Sequence, residues 1–146
     1  MVDFDEVLVP VDGSESAHRA AQFAARLAAA LGKPLRLAHV VALTPEAVMA
    51  LAKMTKAEIQ AAEQAQARSV LDQAKAAVAV TGEKVAHDEV VMVGDAAQEI
   101  LSYVEAHPKT LVVMGRRGVS TIRGLLLGSV SEKVTRHAAG AVTLVH

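Results

Sequence analysis

Five short, mostly apolar runs recur along the chain, Val7 to Val11, Leu35 to Val41, Val85 to Val93, Leu111 to Met114 and Val142 to Val145, and stretches with helical periodicity separate them. Val7-Leu8-Val9-Pro10-Val11 shows no alternation of apolar and polar residues, the pattern of a strand buried on both faces of a parallel sheet. Parallel strands need crossover connections, and helices long enough to supply them lie between the runs. The alternation therefore predicts an α/β fold: a five-stranded parallel sheet with right-handed crossovers and helices on both faces. No linker or internal repeat interrupts it, so residues 1–146 read as one domain.

Capping chemistry places the helices. Ser14 or Ser16 caps a first helix whose small apolar residues, Ala17, Ala20, Ala21, Ala24, Leu27, Ala28 and Leu31, follow helical spacing, and Gly32 and Pro34 stop it. Thr44-Pro45-Glu46 reads as an N-cap, a first-turn proline and an acidic first turn. The helical stretch from Glu46 to about Val80 is too long for one average helix. Thr55 with Glu58 three residues later forms a second capping box inside it, which predicts a break near Met54. Asp95 caps a helix that points Ala97, Ile100, Leu101 and Val104 inward and ends by Pro108, and a last helix runs from about Val130 to Ala138.

Composition narrows the function. With 52% hydrophobic residues but two Phe, one Tyr and no Trp, the core is built from aliphatic side chains, and aromatic platforms for base stacking are scarce. A net charge of −1 supplies no long-range attraction for nucleic acid, which is not an expected partner. The absence of cysteine excludes disulfides and thiolate catalysis and fits a reducing compartment. The acidic start, Asp3-Phe4-Asp5-Glu6, is unlike a signal peptide, and no uncharged apolar stretch approaches membrane-spanning length; the expectation is a cytoplasmic protein without a membrane partner.

The stretch richest in chemistry follows the fourth strand. Gly115, Gly118 and Gly128 stand at the spacing Gly-x2-Gly-x9-Gly-Ser, and the last opens onto a helix start. Glycine lets main chain approach an anion closely, and the first N–H groups of a helix lack intrahelical partners and favour negative charge. Ser129 with Glu132 three residues on suggests a capping box there. Arg116, Arg117 and Arg123 are either solvated charge or phosphate neutralisers. Asp12-Gly13, directly after the first strand, is a common turn pair as well as a candidate ligand-binding carboxylate. The six histidines have no metal-ligand spacing, so no resident metal is expected. Enzyme signatures are absent: no Gly-x4-Gly-Lys-Ser/Thr loop, no Gly-x-Gly-x2-Gly fingerprint and no Gly-x-Ser-x-Gly elbow. The segment from Gly115 to Ser131 holds no carboxylate or histidine to act as a general base.

The glycine spacing, Val9-Pro10-Val11-Asp12-Gly13-Ser14, His39-Val40-Val41 and the run Leu125-Leu126-Leu127-Gly128-Ser129-Val130-Ser131-Glu132-Lys133-Val134 together resemble the ATP-binding branch of the universal stress protein family. The resemblance covers the whole chain, with departures at Thr110, where members commonly carry an acidic residue, at Arg116, where they carry a small one, and at Gly140-Ala141, where they carry a proline. It implies an adenine-nucleotide alpha-hydrolase-like fold with strand order 3-2-1-4-5, which sets strands one and four side by side. It implies an ATP site in which Pro10, Asp12, Val40 and Met114 lie toward the adenosine, Gly115 and Gly118 lie against ribose and phosphate, and Gly128, Ser129, Val130 and Ser131 hold the outer phosphates, with Mg²⁺ arriving on those phosphates. It also implies a homodimer through Ala141 to Val145, an edge strand that no helix follows in this sequence. The expected function is regulatory nucleotide binding with at most very slow hydrolysis. A slow ATPase, an AMP or cyclic AMP binder of the same fold, and an interaction module with an empty pocket remain as alternatives.

Overall fold

The computed structural model describes residues 3–117 and 127–146. Strands β1 (Glu6–Pro10), β2 (Leu35–Ala42), β3 (His87–Gly94), β4 (Thr110–Gly115) and β5 (Val142–Val145) form one parallel sheet in the order β3-β2-β1-β4-β5. The helices are α1 (Glu15–Leu31), α2 (Pro45–Leu51), α3 (Lys56–Val80), α4 (Ala96–Ala106) and α5 (Ser129–His137). The break expected near Met54 separates α2 from α3, and the Thr55–Glu58 capping box is fully formed: Thr55 Oγ1 accepts from the Glu58 N–H and Glu58 Oε2 from the Thr55 N–H.

Two layers of helices explain the unbroken apolar strands. Val7, Val9, Leu35, Leu37, Leu111 and Val113 face α1 and α3, while Leu8, Ala38, Val112 and Met114 face α4 and α5. Each strand residue thus meets a core on its own side, so neither face carries polar alternation. On α1 the contact face is alanine at 17, 20, 21, 24, 25 and 28, all buried, and these short side chains bring the helix close to the sheet. Two inward assignments from the periodicity fail at the margins. Leu31 is 44% exposed as the last residue of α1 before the left-handed Gly32, and Leu101 is only half-buried and belongs to neither cluster.

At the N-terminal ends of the strands a buried carboxylate ties four strands and one helix together. Glu6 Oε1 accepts from Tyr103 Oη at 2.7 Å and Thr110 Oγ1 at 2.8 Å, and Oε2 accepts from Arg36 Nε at 2.8 Å; Arg36 also pairs with Asp88. Burial pushes the Glu6 carboxyl up, but its three hydrogen bonds and the Arg36 charge outweigh this and hold it below its ordinary value. Tyr103, buried beside that carboxylate, is pushed up to about 12 and remains a donor. Thr110 therefore serves as a donor to Glu6, where an acidic residue would set two carboxylates together.

Candidate functional site

Strand order reverses between β1 and β4, and their connections leave toward opposite faces: β1 leads into α1 on one side and β4 toward α5 on the other. A crevice must open there, beyond the carboxyl ends of the strands. A cavity of about 340 Å³ occupies this place, near the lower limit of small-molecule sites. Its lining includes Pro10, Asp12, Val40, Met114, Gly115, Gly128, Ser129, Val130 and Ser131. Of the residues expected to form the site, Gly118 lies outside the described residues, as does Arg123 among the candidate cations.

The β1 end is built by a turn. Asp12 Oδ1 accepts from the Ser14 N–H at 3.0 Å, Gly13 takes φ +86°, and Ser14 then caps α1 through Ala17. Asp12 thus does both jobs left open by the sequence: it shapes the turn and lines the cavity. The ladder between β1 and β2 ends at Val11 N–H to Ala38 O, after which β1 turns away. The Val11 carbonyl is taken instead by His39 Nδ1 at 2.7 Å. A carbonyl only accepts, so Nδ1 carries the hydrogen, and Nε2 of the neutral ring is an acceptor.

The helix start at the other end corrects the sequence reading. Gly128, with extended φ −71° and ψ 163°, is the N-cap of α5, and no side chain caps it; Ser129 is the first helical residue. The expected Ser129–Glu132 box does not form because each partner is placed elsewhere. The Gly128 carbonyl accepts the Glu132 N–H, and the Glu132 carboxylate pairs one turn onward with Arg136. A helix start without a side-chain cap leaves its first N–H groups to a ligand or water, and beside a cavity they form an anion cradle. Ser131 Oγ donates to the Gly115 carbonyl at 2.8 Å, and Gly128 N–H donates to Arg116 O, which fix α5 against the end of β4.

Gly115, which lines the cavity, also has a packing reason to be glycine. A Cβ there would overlap Ser16 Oγ and lie 2.8 Å from the Ser16 carbonyl carbon and 2.9 Å from its oxygen. Glycine is required at 115 because the first turn of α1 fills the space, whatever ligand lies above it. Arg117 lines the cavity half-buried, with its N–H directed to Ser16 Oγ at 3.4 Å and its Nε without a partner among the described residues, whereas Arg116 is not part of the lining.

Lining residues that the sequence reading left out of the site are Val11, Ala17, His39, Ala42, Gln66, Ala96 and Ile100, while Arg117, one of the three candidate cations, is part of the lining. Only His39 carried a usable signal, since it stands beside Val40 in the His39-Val40-Val41 segment at the end of the second strand. Among the described residues, no group of three His, Asp or Glu is placed to hold a metal ion, and no helix is long and apolar enough to cross a membrane.

The sequence model of the universal stress protein family matches residues 3–146. The chain belongs to the universal stress protein family. It is 30% identical to the universal stress protein YxiE of Bacillus subtilis over 97% of this chain and 99% of that protein. Among solved structures, universal stress protein UspA from Lactobacillus plantarum superposes with a TM-score of 0.79 at 27% identity, covering 99% of both chains. A universal stress protein crystallised in complex with cAMP matches with a TM-score of 0.74 at 28% identity, over 98% of this chain and 97% of that one. The fold of the family, a five-stranded parallel sheet in the order 3-2-1-4-5 between two helix layers, is the fold found here.

Proposed function

We infer that this universal stress protein binds an adenine nucleotide in the switch-point cavity, with ATP as the expected ligand, and acts through that binding as a regulator. The observation that carries the reading is the α5 start: Gly128 to Ser131 line the cavity with no side-chain cap, facing a crevice whose other end holds Asp12, His39 and Val40. An anion cradle at one end and a small apolar slot at the other suit a phosphate and a nucleoside. The cAMP complex of a 28% identical structure supports an adenine nucleotide and keeps cyclic AMP as the second candidate. Mg²⁺ would enter bound to the phosphates.

Turnover is expected to be very slow. Among the described lining residues the one carboxylate is Asp12 and the one imidazole is His39, and they belong to the β1 and β2 ends, not to α5. A cradle without a base nearby binds better than it hydrolyses. In this reading the protein is cytoplasmic and dimerises through β5, whose half-buried residues lie at a sheet edge. Mass spectrometry of the nucleotide released by denaturing freshly purified protein tests the reading. ATP is the expected product, AMP or cyclic AMP selects the alternative ligand, and equilibrium binding of none of these overturns it.

A further inference from the structure

We propose that Gln66 of α3 is the base-reading residue of the cavity, the side chain that decides which purine enters. This rests on the nucleotide reading above and adds a specificity determinant to it. Three observations lead to Gln66. First, it lines the cavity from the α3 side although it belongs to no strand end or glycine loop. Second, its place on α3 is set by helical spacing: Val70 and Gln73, four and seven residues on, lie beside Gly13, with Val70 Cγ2 and Gln73 Oε1 at 3.8 and 3.7 Å from where a Cβ would stand. The flank carrying Gln66 therefore runs along the Asp12–Gly13 turn.

Third, the other polar side chains there are one-sided. His39 Nδ1–H is committed to the Val11 carbonyl, which leaves Nε2 an acceptor, and Asp12 offers only carboxylate oxygens. Gln66 alone among them brings an N–H donor together with an acceptor, and its amide bonds to no other described residue. Adenine presents a donor, its amino group, beside ring-nitrogen acceptors, a pattern that one carboxamide matches in a bidentate pair. The remaining side chains there, those of Pro10, Val11, Val40 and Ala42, are apolar, so Gln66 is the side chain at that place that can meet both a donor and an acceptor of the base.

The charge-matched pair of variants separates reading from packing. Gln66→Glu keeps the shape but accepts only, so it loses the bond to an adenine ring nitrogen and gains two from the N1–H and amino group of guanine. The added negative charge weakens every triphosphate alike and cancels in a ratio. Titration calorimetry with MgATP and MgGTP on wild type, Gln66→Ala and Gln66→Glu is the test, with melting curves to verify folding at this exposed position. We expect Gln66→Ala to lose about tenfold in ATP affinity with GTP nearly unchanged, and Gln66→Glu to move the ATP-to-GTP ratio toward GTP by at least about tenfold. A ratio within about threefold of wild type in both variants, with wild type binding ATP, overturns the Gln66 assignment alone. Wild type that binds cyclic AMP or AMP but neither triphosphate moves the same ratio test to that nucleotide and its guanine counterpart, and wild type that binds none of these overturns the nucleotide reading and this assignment with it.

Discussion

Replacing Gly115 by alanine separates two reasons for a glycine at the head of the nucleotide-site motif. The structure assigns the residue to packing: the added methyl would lie 2.8 and 2.9 Å from the Ser16 carbonyl carbon and oxygen, against an ordinary contact of at least 3.4 Å. Both atoms are main chain, so no rotamer change relieves the clash, and the first turn of α1 must retreat by about 0.6 Å. That turn carries Ala17 against the sheet and the Ser16 Oγ that receives the Arg117 N–H. Overpacking of this kind costs about 2–3 kcal/mol, which for a domain of this size lowers Tm by roughly 5–10 °C. The assay is differential scanning calorimetry of nucleotide-free Gly115→Ala, alone and with Ser16→Gly. Removing the Ser16 hydroxymethyl relieves the Oγ overlap but leaves both main-chain contacts, so the double variant should recover only part of the loss. A nucleotide-free Gly115→Ala that melts within about 1 °C of wild type would refute the packing argument.

Other outcomes follow from the same structure. Glu6→Gln replaces a charge-assisted acceptor at the strand N-termini and should cost about 1.5–3 kcal/mol at pH 7. Because the folded Glu6 carboxyl lies below its ordinary value of 4.5, wild type should hold its advantage above that pH and lose it as pH falls through the lower folded value, while Glu6→Gln shows no such loss; denaturant titrations at pH 7 and between about pH 5 and 3 check this. Thr55→Ala removes the acceptor for the Glu58 N–H and should lower Tm by about 2–4 °C in the same calorimeter. For the proposed dimer, Val112 and Arg116 donate to Ala141 and Val145, so the main-chain groups of Val142 and Leu144 point outward from the sheet. Val142→Pro, at the first residue of β5, should yield folded monomer by light scattering, and a dimer of wild-type affinity would place the interface elsewhere.

Much of the fold was legible because its signals are local. Thr44, Asp95 and the Thr55–Glu58 pair cap the helices their spacing indicated, and strands packed between two helix layers read as unbroken apolar runs. The spacing at Ser129 and Glu132 is the same as at Thr55 and Glu58, yet only the latter pair forms a box. What differs lies outside the four-residue pattern: Arg136 competes for Glu132, and Gly128 takes the extended cap position. The site was legible where the glycine motif and strand ends mark it. Gln66 was not, because it reaches the cavity only through the packing of α3 over the Asp12–Gly13 turn. The reason for Gly115 was equally hidden, since its neighbour in space, Ser16, is distant in sequence.

The central claim is that the uncapped start of α5 holds the phosphates of an adenine nucleotide, and calorimetric titration of MgATP into wild type and Gly128→Asp tests it most directly. Gly128 has an ordinary extended φ of −71°, so a side chain there is tolerated by the backbone, and aspartate would both cap the helix and set a carboxylate against the phosphates. The account predicts a variant at least as stable as wild type that has lost at least tenfold in ATP affinity, about 1.4 kcal/mol. Equal ATP affinity in the two proteins would contradict it.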